Sequence, residues 1–230
     1  MVILGIILKI TIIIPFFTIT NDKICLHLQQ NQRKNYMEQL SQIYCRYNMV
    51  CEAPSGGGVE IVEMPAFFTE KKGIEADYAH IHNFYEIVWF KKGGGKHYVD
   101  FTEYPIEDNT IFFLSPGQVH NFDDSHCQTG YVMKICGDLL SEATGEDMTF
   151  LKYNIFGADS LPYHQIDEED ALKLDNIIKN MSEEIGESGC IGHKDYLRSL
   201  VKMLIIRIER GCRTQENRVL SLSKTSHKTF

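Results

Sequence analysis

Between Val59 and Ile135 the chain never holds one hydrophobic phase for long. VEIVEM (59–64), the mostly apolar stretch 78–90, KHYVDFT (96–102), TIFFL (110–114) and YVMKI (131–135) are short and rich in β-branched and aromatic residues. Turn signals separate them: GGG at 93–95, EDN at 107–109 and SPG at 115–117. Runs of this kind read as strands, and a succession of them predicts an antiparallel sandwich or barrel. The glycine triplet predicts a hairpin over 86–102 with a three-residue loop. No helical period is read before residue 168, so the expected class is mainly β with helices at the C-terminal end.

The period changes at Asp167. Ala171, Leu174, Ile178, Met181 and Ile185 fall three or four apart behind an acidic first turn of Asp167, Glu168, Glu169 and Asp170. That turn suits the helix dipole, and Gly186 or Gly189 can end the helix. A second helix carries Leu197, Leu200, Val201, Leu204, Ile205 and Ile208 as a broad stripe, with Arg198, Lys202, Arg207 and Arg210 mostly off it. ESGCIG (187–192) joins the two as an antiparallel pair. Such a stripe packs on a sheet or meets another chain. The expected organisation is therefore an extension over 1–58, hydrophobic then polar, a barrel over 59–165, a two-helix segment over 166–212 and a polar linker over 213–230, leading to something beyond it.

The extension holds VILGIILKITIIIPFFTI (2–19), the one stretch apolar enough to span a bilayer if Lys9 and Pro15 are tolerated. It lacks a preceding Lys or Arg and a clear cleavage site, so it reads poorly as a secretory signal. Alternatively, residues 1–36 are an upstream extension, with Met37 the ordinary start. Thirty-one acidic against twenty-three basic residues give a net charge of −8, with no dense basic run. This argues against direct binding of nucleic acid. Seven cysteines, Cys25, Cys45, Cys51, Cys127, Cys136, Cys190 and Cys212, lie at scattered spacings without a CxxC pair. They read as free thiols of a cytoplasmic protein.

HIHNFYEIVWF (80–90) puts ionisable groups into apolar sequence. Strand parity places His80, His82, Phe84, Glu86, Val88 and Phe90 on one side and Ile81, Tyr85, Ile87 and Trp89 on the other. Both sides are apolar enough to be covered, so the histidine face looks into a lumen, where a carboxylate such as Glu86 needs a partner. SPGQVH supplies His120 behind a tight Pro116-Gly117 turn. Trp89 reads as packing, His97 and His126 as ordinary surface or strand residues, and His164, His193 and His227 carry no pattern.

The spacing His80-x-His82-x3-Glu86-x6-Gly93, followed by Pro116-Gly117-x2-His120, resembles the two signature motifs of the cupin superfamily of small β-barrels. Asn109 stands where a glycine is common. The likeness is closer, over about residues 59–212, to the amino-terminal sensing domain of AraC-family transcription regulators. It rests on HIHNFYEIVWFKKGGGKHYVDFTEYPIEDNTIFFLSPGQVHNF, then YVMKICGDLL, then both helices. The resemblance implies a cupin-like jelly-roll barrel followed by two antiparallel helices, and DNA binding only through a helix-turn-helix domain that this chain does not carry. It implies a small-molecule effector, a sugar among the candidates, held by His80, His82, Glu86 and His120 with Phe84 and Val88 beside them. The same four ionisable residues are the cupin ligands for a divalent metal, and imidazole with carboxylate suits Zn, Ni, Fe or Mn. It further implies a homodimer, with Leu197, Leu200, Val201, Leu204 and Ile208 as dimerisation contacts, and no catalytic residue. Two alternatives are a metal-dependent cupin enzyme, a dioxygenase or isomerase using the four ligands, and a membrane-tethered sensor using residues 2–19.

Overall fold

A computed structural model describes residues 44–49, 58–70, 78–123, 128–140, 154–157 and 160–226, without side chains beyond Arg213 of the last helix. The apolar stretch 2–19 and most of the expected extension lie outside them. Ten described strands form two sheets of five. The first sheet contains, in spatial order, β1 (Cys45–Tyr47), β3 (His80–His82), β8 (His120–Phe122), β5 (Lys96–Val99) and β6 (Thr102–Pro105). The second contains β10 (Tyr163–Gln165), β7 (Thr110–Leu114), β4 (Tyr85–Lys92), β9 (Thr129–Ile135) and β2 (Val59–Glu63). All described pairings are antiparallel except that of β1 with β3. Helices α1 (Met64–Glu70), α2 (Gly137–Leu140), α3 (Glu168–Gly186) and α4 (His193–Ser226) complete the described chain, with a single 3-10 turn at Asn154–Phe156. This is a cupin-like β-sandwich followed by helices.

The central strands of the second sheet, β7, β4 and β9, are covered on both faces, which explains why they read as apolar runs. Val88, Phe90, Phe112, Leu114 and Val132 face the first sheet and pack with Val99, Ile106 and Phe122 in the barrel interior. Ile87, Trp89, Ile111, Phe113, Met133 and Ile135 face the other way, onto Leu174, Ile178 and Met181 of α3 and Leu200, Val201, Leu204, Ile205 and Ile208 of α4. β4 therefore serves both layers with alternate residues. β9 approaches it so closely that a Cβ on Gly130, at φ 146, would stand 1.8 Å from the Trp89 carbonyl oxygen.

Several expectations change. The glycine loop 93–95 does not close a hairpin of β4 with β5, because the two strands lie in different sheets; it carries the chain across the barrel. The hairpin is β5–β6, closed by Asp100 and Phe101 at φ 47 and 68, the double positive-φ geometry of a tight two-residue turn. Helix also begins before residue 168. α1 buries Met64, Phe67 and Phe68, but two turns are too short to show a sustained period. The boundary expected at residue 58 is crossed by β1, which pairs with His80–His82. Residues 213–226, expected as a linker, continue α4 as far as Ser226.

The expected dimerisation residues Leu197, Leu200, Val201, Leu204 and Ile208 are at most 4% exposed. Apart from Leu197 they belong to the apolar cluster joining the helices to the second sheet, so intramolecular packing has taken this stripe. α3 starts as read: the Asp167 side chain accepts from the Asp170 N–H at 2.9 Å. The helices are tied by Arg207 to Asp170 at 3.2 Å and by His193 Nδ1 to Glu184 at 2.9 Å, giving His193 a structural use its sequence did not suggest. Cys136 is disulfide-bonded, while Cys45 and Cys190 are free thiols. The reading of all seven cysteines as free thiols therefore fails, and with it the cysteine argument for a cytoplasmic site.

Candidate metal and ligand centre

His80 to Phe90 is two strands, not one. The chain bends at Asn83, whose N–H donates to the Tyr47 carbonyl at 3.3 Å while its side-chain oxygen accepts from the Met49 N–H at 2.9 Å. That bend leaves His80 and His82 in the first sheet and sends Glu86 into the second. Parity along one strand is thus not what brings them together; they meet across the barrel. The second motif folds back on the first through the Pro116-Gly117 turn, where Gly117, at φ 90, donates its N–H to the His82 carbonyl at 3.0 Å. β8 then pairs His120 with His80 on one side and with Val99 on the other.

His82, Glu86 and His120 converge, each buried, with their ligand atoms within 4.8 Å of one another. Glu86 Oε2 lies 3.8 Å from His82 Nε2 and 3.8 Å from His120 Nε2. Those separations are too long for hydrogen bonds and short enough for one ion to touch both atoms of each pair. Of the four expected ligands, His80 is the one outside this triangle. It is buried beside it, with its ring centroid 4.1 Å from that of His120 and its Nδ1 donating to the Tyr78 carbonyl at 2.9 Å. Phe84 adjoins the centre, its ring stacked on His82 at 4.2 Å. Val88 belongs to the apolar barrel core instead. Trp89 faces the helices, so it cannot stack on anything held in the barrel.

Burial holds the imidazoles of His82, His97 and His120 neutral. Desolvation, then the charge of His80 and more weakly that of Lys134, lowers His82 to about 3, although its bond to the Phe84 carbonyl works the other way. Desolvation, then His80 and His82, lowers His97 to about 3. His120 lies well below the ordinary imidazole value for the same first reason, followed by the charges of His80, His82 and His97. Each of these three rings therefore carries one N–H. In His82 the position is decided: Nδ1 lies 2.7 Å from the Phe84 carbonyl, which can only accept, so Nδ1 holds the proton and Nε2 offers a lone pair toward the Glu86 carboxylate. Among the described residues neither His82 Nε2 nor His120 Nε2 has a hydrogen-bond partner. A buried lone pair facing a buried carboxylate is an arrangement that a cation relieves, so the donor set fits a divalent metal.

Sequence reasoning missed two residues here. His97 is completely buried and its Nε2 stands 3.1 Å from His120 Nδ1. Its parity with Val99 on the returning strand was the available signal. Lys134 is buried directly across from Glu86 in the β4–β9 register, 3.6 Å from Glu60 and over the Phe84 ring. A separate groove of about 310 Å³ is lined by Tyr44, Ala79, Tyr98, Phe101, Val119 and Asn121. Tyr98 and Asn121 pair on the opposite face of the first sheet from His97 and His120, so this groove does not open on the centre.

A family model of the AraC-like ligand binding domain matches residues 72–200, just over half of the chain, including every residue of this centre. The chain belongs to the AraC-like ligand binding domain family. In this AraC-like domain the match runs from ahead of β3 into α4, so it covers both the barrel and the helix pair on its second sheet. No match was found among curated proteins. Among the described residues no helix is long and apolar enough to cross a membrane.

Proposed function

We propose that this AraC-like domain senses a small effector in its barrel and relays binding to a DNA-reading partner domain through α3 and α4. The observation that carries the reading is the double duty of β4. Glu86 faces the centre, while Ile87 and Trp89 pack against the helices. A ligand that prefers one position of Glu86 would favour one packing of the helix pair, which is what coupling between two sites requires. The acidic charge balance agrees with DNA being read elsewhere than on this chain.

The divalent ion, of the Zn, Ni, Fe or Mn class, would be held by His82, Glu86 and His120 with His80 alongside. It would supply a positive charge with open positions for an oxygen-bearing effector, sugars included. For the homodimer we assign the outward face of α4, where Tyr196 is 51% and Met203 is 54% exposed. Hydrogen exchange with and without each of a panel of metals and small metabolites tests the reading. Binding should protect β3, β4 and β8 and also change exchange in α3 and α4. A chain that stays monomeric at all concentrations, and whose melting no metal or metabolite shifts, would refute it.

The convergent His/His/Glu set also favours a second reading, a metal-dependent dioxygenase or isomerase. Turnover lost on His82→Ala and on Glu86→Gln would establish it.

A further inference from the structure

Among the described residues the only hydrogen bond joining His120 to another side chain runs between its Nδ1 and His97 Nε2, 3.1 Å apart. A single proton lies between these two nitrogens. If His97 donates, the proton of His120 sits on Nε2, the atom that faces Glu86, and blocks any cation there. If His120 donates, its Nε2 is bare and His97 carries its own proton on Nδ1.

We propose that His97 is the positioning residue that decides which nitrogen of His120 is bare, and so gates cation binding in the barrel. This rests on the reading of the centre as a cation site. His97 is built to hold one pose. Its ring stacks on Phe122 at 4.4 Å and 17°, and meets Phe112 edge-on at 4.4 Å. β5 places it opposite Phe122 on one side and Tyr104 on the other. In that pose it can change its tautomer but has no room to swing away.

His97 Nδ1 is buried and has no hydrogen-bond partner among the described residues. Each arrangement leaves one buried N–H without a hydrogen-bond partner among the described residues, on His120 Nε2 in the first and on His97 Nδ1 in the second, but only the first points that N–H at a carboxylate, Glu86 Oε2 at 3.8 Å. The metal-free protein therefore keeps the first arrangement: His97 Nδ1 bare, His97 Nε2–H donating, and a proton on His120 Nε2. Binding a cation requires the second. The proton count of the pair stays at two throughout. His120 loses the proton on Nε2 and receives one on Nδ1 from His97 Nε2, and His97 takes one up on Nδ1. Fixing the tautomer of a ligand imidazole from its far nitrogen is the ordinary work of a group behind a metal ligand; here that group is another imidazole, which can donate or accept.

Ring-nitrogen spectra of the ¹⁵N-labelled chain, with and without Zn²⁺, test this directly. Both His97 and His120 should move from the Nε2–H to the Nδ1–H form as Zn²⁺ is added. Calorimetric titration with Zn²⁺ then separates the roles. His97→Phe, which fills the slot between Phe112 and Phe122, should weaken Zn²⁺ binding by about 10- to 100-fold, and His97→Gln, which keeps an acceptor, should recover most of it. If the wild type binds Zn²⁺ and both rings keep their tautomers, or His97→Phe binds as tightly, the proposal falls and the cation site stands. If the wild type binds none of Zn²⁺, Ni²⁺, Fe²⁺ or Mn²⁺, both fall. Should His97→Phe fail to fold, the wild-type spectra decide alone.

Discussion

His82 holds its proton on Nδ1 against the Phe84 carbonyl, so any ion in the barrel meets a ready lone pair on Nε2 and the carboxylate of Glu86 3.8 Å away. Glu86→Gln keeps the shape and removes the charge. It should reduce affinity for Zn²⁺ or Ni²⁺ by at least about 100-fold, more than the loss of a group behind a ligand, with melting of the metal-free chain little changed. Calorimetric titration checks it. The neutral imidazoles also make stability depend on pH. Folded, His82 and His97 titrate at about 3, against 6.5 for an ordinary imidazole. Between those values the unfolded chain binds more protons than the folded one, so stability falls as pH drops through 6.5 and neither residue contributes a slope above it. Each adds about 1.4 kcal/mol per pH unit. Urea midpoints of the chelator-treated chain should be level from pH 7 to 8 and fall steeply from pH 6 to 4. His97→Phe should remove one such increment from the slope. An equally steep fall in that variant would show the increment is not its own.

Where β9 crosses β4, Gly130 occupies a position that no other residue can share. An added Cβ would meet the Trp89 carbonyl at 1.8 Å on a backbone at φ 146, and moving either strand would unzip the β4–β9 register. Gly130→Ala should cost more than about 3 kcal/mol by urea denaturation, or leave the chain insoluble. A loss under about 1 kcal/mol would mean that the strands are further apart. Elements of this kind divide into those legible in the sequence and those not. The runs TIFFL and YVMKI, the turn completed by Asn109 at φ 57, and the capped start of α3 are local, and local residues set them. The bend at Asn83 is not local, because it is pinned by Tyr47 and Met49, thirty-odd residues upstream. Parity carries His80 and His82 to the side of Glu86 as if along a single strand; they reach it from the opposite sheet. The same blindness affects the glycine loop, since nothing in GGG says whether the chain turns back within a sheet or crosses to another. Parity with Val99 can turn His97 inward, but its place behind His120 comes from β8 lying beside β5, which its neighbours in sequence do not reveal.

At the scale of the whole molecule, the second sheet is the shared wall of two cores. One is the barrel interior around Val88, Phe112 and Val132, and the other joins Trp89, Ile111 and Met133 to α3 and α4. Neither core can be exposed without stripping a face from the same strands, so barrel and helices should unfold together rather than as a domain with an appendage. Trp89, the single tryptophan, reports on the helix-facing side, although the candidate ion sits on the other. Trp89 fluorescence and the far-ultraviolet helical signal should therefore give coincident melting curves in the metal-free chain. A metal bound in the barrel should shift both curves by the same amount, worth about 2.7 kcal/mol at a hundred times its Kd. Leu204→Ala, at the helix–sheet contact and far from any ligand, should lower both by about 2–5 kcal/mol. If metal raised the barrel transition and left the tryptophan and helical signals where they were, the two cores would be independent, and β4 could not carry a signal from Glu86 to the helices.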